Sequence, residues 1–456
     1  MVEHRRFAGC AVDRGRKRTD RQFDNNAAKE QEGVHLRTFC FFLLAVCLAF
    51  SACAFAQSQS TAKPPPVTLE QKLREARYDL HIENGRFTGS AAPVLENAIR
   101  EVQFVLVGED HITREVPEFT TGVCNVMGLT GFSAMVLEVS PEVADFMSAS
   151  LGKPDRLARM AALVHRYPDS VAFLNIRQEN DLVNHCAQQS HDPNFQVWGL
   201  DQPFIGSAGW LLDQILATHP GPNATAALNR LKEEEQKDAA QAQETGDPSK
   251  VFLLSASDAE VAVAAAALQR EGNPTANKLL HELMESREIY LRNIHGDAIE
   301  SNNERARLLK QNLKQHLDAS GENQERVLIK FGNSHLYKGF NEFHQLDLGD
   351  YVAEIADVHG SSALHICVLG AKGTHLLYGG YNRPGKLEHF TLDGAGYYPW
   401  IKPAVDDMVS HGWTLYDLRK LRFRPFDSID PEMQRLIYGY DLLVIAPEIT
   451  PADPIH

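Results

Sequence analysis

Four short apolar runs in this chain each stop at an acid or a histidine, and that recurrence limits the folds open to it. Phe104–Val107 runs into Gly108-Glu109-Asp110-His111, and Met135–Leu137 into Glu138. Gln196–Leu200 runs into Asp201, and Val327–Phe331 into Gly332-Asn333-Ser334-His335. Each run has the length and the β-branched or aromatic content of a fully buried strand. If these strands lie parallel, their carboxyl ends share one edge of a sheet, where open α/β folds bind ligands. Residues spread over more than two hundred positions would then meet in one cleft.

The segments between the runs fit that plan. Ala92–Arg100 is an amphipathic helix feeding the first run, and Leu69–Tyr78 reads as a short helix before it. Ser140-Pro141-Glu142 marks a helix start, with proline in the first turn and an acid at the positive end of the dipole. A helix through Met147 would complete a βαβ rhythm. Between Asp201 and Val327 no strand pattern occurs. Ala226–Gln243 is rich in Ala, Glu and Lys, Ser257–Arg270 follows a Ser-x-x-Glu capping box, and Lys278–Asn312 is long and amphipathic. Lys232-Glu233-Glu234-Glu235 reads as a solvated helix face.

The expected fold is therefore α/β, a mostly parallel central sheet flanked by helices, with a helical cap insertion at about 208–322. The alternative for that block is a peripheral helical subdomain with no part in the site. Ala363–Leu369 and Leu442–Ala446 are two further buried runs that would finish the sheet.

The chain has 456 residues, enough for one α/β domain with a large insertion or for several smaller ones. Its first 56 residues stand apart. Phe39–Phe50 is apolar but short for a membrane span, and Ala54-Phe55-Ala56 is an A-x-A cleavage pattern. The segment reads as a secretory signal peptide cut before Gln57, which implies a secreted or periplasmic protein. Residues 1–33 are polar and basic, unlike a signal n-region, and suggest a true start near Val34; the alternative is a disordered leader. Phe50-Ser51-Ala52-Cys53 is a poor lipobox, so a lipid-anchored form is a lesser alternative. Residues 57–78 would be a flexible lead-in and short helix, and 79–456 the α/β hydrolase-like domain.

Without the leader the chain keeps 36 basic and 54 acidic residues, a net charge of −18. So acidic a body repels polyanions and argues against a general nucleic-acid binder. Only Cys124, Cys186 and Cys367 remain, enough for one disulfide and too few for a disulfide scaffold or a zinc knuckle.

His111 and His335 each follow a buried run and a glycine that lets the backbone turn sharply. Imidazoles so placed can take a proton from water or bind a metal. Glu109, Glu138 and Asp201 could orient them, act as partner acid or base, or complete a coordination set. A single histidine in such a loop is more often structural, but two of them with three acids at equivalent strand ends are not. His165, His185, His219 and His411 have no comparable setting and read as surface residues. There is no His-Glu-x-x-His, phosphate loop, dinucleotide fingerprint or Cys-x-x-Cys. Gly332-Asn333-Ser334-His335-Leu336 lacks the second glycine of a serine nucleophile elbow, so Ser334 reads as a small turn residue.

At these residues the sequence resembles the superfamily that joins erythromycin esterases, ChaN-like haem-binding lipoproteins and the Tiki/TraB metalloproteases. The likeness lies in Gly108-Glu109-Asp110-His111, Glu138, Gly199-Leu200-Asp201 and Gly332-Asn333-Ser334-His335. It extends to the helix Arg305–Asn312, to Leu348-Gly349-Asp350-Tyr351 and to Trp413–Arg419. The first motif is one residue shorter than the Gly-Glu-x-Thr-His of erythromycin esterases and nearer the ChaN and Tiki forms. The resemblance implies a base or ligand at His111, a second histidine at His335, acids at Glu109, Glu138 and Asp201, and an anion-holding arginine at Arg305.

The favoured expectation is a secreted hydrolase of ester or amide bonds acting on a small-molecule or peptide substrate. His111 would activate water, Glu138 or Glu109 would orient or protonate it, and His335 with Arg305 would hold the oxyanion. A divalent metal held by His111, His335 and one acid could replace the general base. The second expectation is a haem- or iron-binding protein without turnover, with His111 or a tyrosine such as Tyr337 as axial ligand. The third is a non-catalytic descendant whose cap binds another protein. No transmembrane span is expected once the signal is removed.

Overall fold

The computed structural model describes residues 67–320, 326–422 and 429–455. The expected signal peptide, the alternative start and the expected lead-in to residue 66 lie outside the described residues. Eleven strands occur among those described: β1 (Arg77–Glu83), β2 (Arg86–Thr88), β3 (Phe104–Glu109), β4 (Ala134–Leu137), β5 (Gln196–Gly199), β6 (Val327–Gly332), β7 (Ala363–Gly370), β8 (Lys372–Leu377), β9 (Lys386–Thr391), β10 (Trp413–Asp417) and β11 (Leu442–Ala446). Nine form one sheet in the order β2-β1-β10-β11-β7-β3-β6-β4-β5, and β8 with β9 forms a separate hairpin.

The four runs that end in acid or histidine are β3, β4, β5 and β6, and they pair in parallel with one another and with β7. All six residues of β3 and of β6 are buried, as strands covered on both faces must be. Side chains alternate between two cores. Val105, Val107, Leu328, Met135 and Leu137 enter one of them. Phe104, Leu106, Ile329, Phe331 and Val136 enter the other. The helices Ala91–Arg100, Glu115–Gly128 and Arg177–Ser190 pack on the first face, and Ala298–Ser320, Leu348–Val358 and Pro431–Gly439 on the second.

The chain leaves β3 toward β4 and leaves β6 toward β7, in opposite directions across the sheet. Right-handed crossovers then put the intervening helices on opposite faces and open a crevice at the carboxyl ends of β3 and β6. The register sets Glu109 beside Gly332 and Leu137 beside Lys330 at that crevice.

The sheet is wider than its buried runs foretell. β1, β2 and β10 extend it as an antiparallel edge, and the first helix stops at Ala76, where the chain turns directly into β1. Only Leu80 of β1 is fully buried, so pairing with β10 rather than an apolar run makes it a strand.

Between β5 and β6 no described residue is in a strand, as expected. Part of this insertion has its own core, in which Leu211, Leu212, Leu228, Leu253, Leu268 and Leu283 are all nearly or completely buried. The single helix expected over 278–312 is two, Pro274–Ile294 and Ala298–Ser320. Gly296, with φ +89°, breaks them in a conformation that other residues adopt at a cost. The second helix thereby leaves the cap and returns over the sheet, carrying Arg305. Nor is 232–235 simply a solvated face: Lys232 donates to the Gly209 carbonyl at 2.7 Å, and Glu234 accepts from the Ser257 N–H at 3.0 Å.

Cys124 and Cys186 join the helices Glu115–Gly128 and Arg177–Ser190 through a disulfide, and Cys367 is buried and free. No helix among the described residues is long and apolar enough to cross a membrane.

Candidate active site

Strand ends bring the acids, and the segments beyond them bring the histidines. Glu109 closes β3 and Glu138 directly follows β4; both are nearly fully buried. His111 sits two residues past Glu109 and turns back, so that its Nδ1 lies 3.0 Å from Glu109 Oε1. Its Nε2 is 3.5 Å from Glu138 Oε2, and its ring stacks on Phe173 with centroids 4.3 Å apart. Gly332 makes this approach possible: a Cβ there would lie 2.7 Å from His111 Nε2.

Arg305 ties the second half of the site together. Its Nε donates to Asp201 Oδ1 at 2.9 Å, and its Nη2 to Asp201 Oδ2 at 2.5 Å and to Glu138 Oε1 at 2.7 Å. Its Nη1 meets His335 Nε2 at 3.1 Å. The remaining oxygen of Glu138 accepts the Gly332 N–H at 2.7 Å. Asn312, two turns beyond Arg305, donates to the Leu200 carbonyl at 2.8 Å and seats the helix against the end of β5. All six residues expected from the sequence (Glu109, His111, Glu138, Asp201, Arg305 and His335) thus converge in one connected set. The imidazoles and the guanidinium are its more accessible members, with side-chain exposures of 17 %, 13 % and 22 % for His111, His335 and Arg305 against 4 % and 6 % for Glu109 and Glu138.

The charges can be assigned from these contacts. Burial opposes ionisation of Glu138, but His111, His335, Arg305 and the Gly332 N–H together hold its carboxyl well below the usual carboxylate range. Burial also opposes charge on Glu109, yet Lys330 and His111 bring its pKa below the ordinary value. Neither acid is therefore a proton donor near neutrality, which removes the protonating role considered for them. Burial disfavours the His111 imidazolium, but Glu138 and Glu109 overcome this and raise its pKa.

His335 is pulled two ways. Burial lowers its pKa and Asp347 raises it, Arg305 opposes and Glu138 assists, with a net rise. Its Nε2 nevertheless faces a guanidinium, which has no lone pair to accept a proton. The tautomer that satisfies this contact is neutral, with Nδ1–H donating to Asp347 Oδ2 at 2.8 Å and Nε2 accepting from Arg305.

Three members of the network were not anticipated from the sequence. Asp347 stands one residue before the Leu348-Gly349-Asp350-Tyr351 motif, and its Oδ1 also caps the helix Leu348–Val358 at the Leu348 N–H, at 2.7 Å. Lys330 interrupts an otherwise apolar strand, a signal in plain view, and reaches Glu109 Oε1 at 2.6 Å. Glu179, in a helix with no motif, holds Lys330 at 2.8 Å. His375 of β8 is also buried, with Nε2 2.9 Å from Asp110 Oδ2.

The other expectations divide into those the structure keeps and those it corrects. Ser334 keeps the expected place in the turn, its hydroxyl donating to the Glu342 carboxylate and to Asn333 Oδ1. His165, His219 and His411 are exposed, whereas His185 is half-buried against Asn125 at 2.7 Å. Tyr337 is only 6 % exposed, packed in the core against Tyr440, and cannot reach an axial position on haem. Nor do His111 and His335 fit as ligands of one divalent metal. Arg305 contacts both His335 Nε2 and Glu138, so a cation there would meet a fixed positive charge. Among the described residues no three His, Cys, Asp or Glu side chains form a metal-binding group.

No protein-family model matches the chain and no curated protein matches its sequence. Solved structures do share its fold. A mutant of erythromycin esterase EreC in its open conformation superposes with a TM-score of 0.56 at 13% identity, covering 83% of this chain and 98% of that one. A succinoglycan biosynthesis protein gives 0.51 at 15% identity, over 87% of this chain and 100% of that one. A Bacillus cereus protein gives 0.50 at 16% identity, over 85% and 98%. At these identities the likeness is one of fold.

Proposed function

We propose that this chain is an erythromycin-esterase-like hydrolase of carboxylic esters, working through His111 as a metal-independent general base. The observation that carries the reading is the Glu109–His111 pair. Glu109 takes the Nδ1–H, so in the neutral ring the Nε2 lone pair faces the crevice beside Gly332 and Glu138. A water there gives its proton to Nε2 as its oxygen adds to the ester carbonyl. Imidazolium forms between two ionised carboxylates, which favour it over the neutral ring.

Arg305 has five N–H groups, and four serve Asp201, Glu138 and His335. One Nη1–H remains for the tetrahedral oxyanion. His335, an acceptor in this geometry, orients that guanidinium rather than donating to the oxyanion itself. When the intermediate collapses, the imidazolium of His111 protonates the departing alkoxide.

The test is hydrolysis of p-nitrophenyl acetate and a panel of larger esters. Turnover should survive exhaustive chelation, rise with pH through an apparent pKa above 6.5, and fall by about a hundredfold or more in His111→Ala. Hydrolysis of no ester, or full activity in His111→Ala, overturns the reading. Haem has no such support: beside His111 Nε2 lie Gly332 and Glu138, which suit a water rather than an iron macrocycle. A Soret band on haem titration that vanishes in His111→Ala would reverse that judgement.

The enzyme is further proposed to be exported, with cleavage before Gln57. The disulfide between Cys124 and Cys186 supports this, since such bonds persist in oxidising compartments. N-terminal sequencing of the mature protein should begin at Gln57; a mature form that retains Phe39–Phe50 rejects the proposal.

A further inference from the structure

We infer that Lys330 and Glu179 are positioning residues of this same site, with Lys330 fixing Glu109 onto His111 and Glu179 holding Lys330 in place. The inference rests on the reading of His111 as the base. Lys330 lies within β6, 3 % exposed, between Val107 of β3 and Leu137 of β4 in register. Both neighbours belong to the apolar core of that face. An ammonium group there is costly unless it is paired, and a methionine or leucine would fill the same space without that cost. Packing alone gives no reason for a lysine in this strand.

The contacts supply one. Lys330 Nζ is 2.6 Å from Glu109 Oε1, and that same oxygen is 3.0 Å from His111 Nδ1. Glu109 Oε2 is buried with no hydrogen-bond partner among the described residues. One oxygen therefore carries the whole polar function of Glu109, and Lys330 selects which one it is. Without Lys330 the buried carboxyl would keep a single partner and would tend to take up a proton, losing its hold on the Nδ1–H tautomer.

Glu179 completes the arrangement from the first turn of the helix Arg177–Ser190, where the dipole favours an acid. It meets Lys330 at 2.8 Å. The charged and titratable groups that face Lys330 are Glu109 from β3, Glu179 from this helix and His111 from the loop after β3; β4 offers only Leu137. Burial pushes the Glu179 carboxyl up to about 7 although Lys330 pulls it down, as two acids sharing one buried ammonium require.

Two variants and two readouts test this. Lys330→Met alone strands two acids and can fail to fold, so it is paired with Lys330→Met/Glu179→Leu, which removes the buried ion pair as a unit. The double variant should fold yet lose roughly ten- to a hundredfold in kcat on p-nitrophenyl acetate with little change in KM, the usual cost of removing a partner that orients a functional group. The second readout needs no substrate: the downfield proton resonance of His111 Nδ1–H, observed in histidine-labelled protein, should weaken or vanish in the double variant. A folded double variant with wild-type kcat and an unchanged Nδ1–H resonance shows that the pair is structural only and overturns the inference. If the wild type hydrolyses no ester, the hydrolase reading falls, while the resonance still decides whether Lys330 positions Glu109.

Discussion

Arg305 and Asp201 are 104 residues apart in sequence, and they meet fork to fork, Nε to Oδ1 at 2.9 Å and Nη2 to Oδ2 at 2.5 Å. The pair clamps the helix Ala298–Ser320 to the end of β5 and lays the guanidinium across Glu138 and His335. Lysine cannot reproduce a planar fork. Arg305→Lys is expected to fold but to hydrolyse esters about a hundredfold more slowly. Arg305→Ala takes the guanidinium from two buried carboxylates, leaving Glu138 to His111, His335 and the Gly332 N–H and Asp201 to the Gln202 N–H, and should lose about 3–5 kcal/mol in denaturant unfolding.

Gly332→Ala isolates sterics at the site. Gly332 has φ −52°, so alanine meets no backbone strain there. Its Cβ would instead lie 2.7 Å from His111 Nε2 and 3.3 Å from Glu138 Oε2. The imidazole must move, and ester hydrolysis should fall by about a hundredfold, since small misplacements of reacting groups cost that much. An active Gly332→Ala enzyme would mean that His111 works from another rotamer.

Asp347 does two separable things, one with each oxygen. Oδ1 caps a helix at Leu348, and Oδ2 holds His335 Nδ1. Asp347→Asn keeps the capping oxygen but offers an N–H to Nδ1, which forces the other tautomer and turns an N–H of His335 against Arg305. It should fold with near wild-type stability and lose about ten- to a hundredfold in kcat. Asp347→Ala should lose the same activity and a further ~1 kcal/mol from the missing cap.

Away from the crevice, Glu282 of the cap helix Pro274–Ile294 faces Glu142 of the helix Pro141–Ser148, and each has a buried oxygen with no hydrogen-bond partner among the described residues. Burial, then the hydrogen bond and charge of Glu142, raise the Glu282 pKa from 4.5 to about 8. The folded state thus binds a proton that the unfolded state has released, and the stability this confers is lost as pH rises through that interval. The unfolding free energy should fall by on the order of 2 kcal/mol between about pH 5 and 8, and Glu282→Gln should flatten the slope. An unchanged slope in that variant would show that the two carboxyls do not share a proton.

Much of this site is readable along the chain because its acids and histidines stand at or just beyond the ends of largely apolar runs, and that contrast is local. Asp347 was missed by one position, since its meaning lies in the histidine it faces rather than in the motif it precedes. Lys330 was legible as a charge in a buried strand, but only its neighbours on β3 and on a helix show what it is for. The antiparallel edge was missed for a related reason. β1 has one buried side chain in seven, and its strand character comes from the partner it pairs with.

Local composition determined which segments would be buried strands, that polar groups would crowd at their ends, and that a helical block would separate the third from the fourth. It did not determine the order of the strands. All these runs are similarly apolar, so their pattern says nothing about which lies beside which. Tertiary structure put β6 between β3 and β4, making Glu109 a register neighbour of Gly332 and bringing His111 against Glu138. It also broke the cap at Gly296 and sent the second helix back over the sheet with Arg305. These outcomes depend on pairing and packing between distant segments, whose free energies belong to the assembled chain and to no single stretch of it.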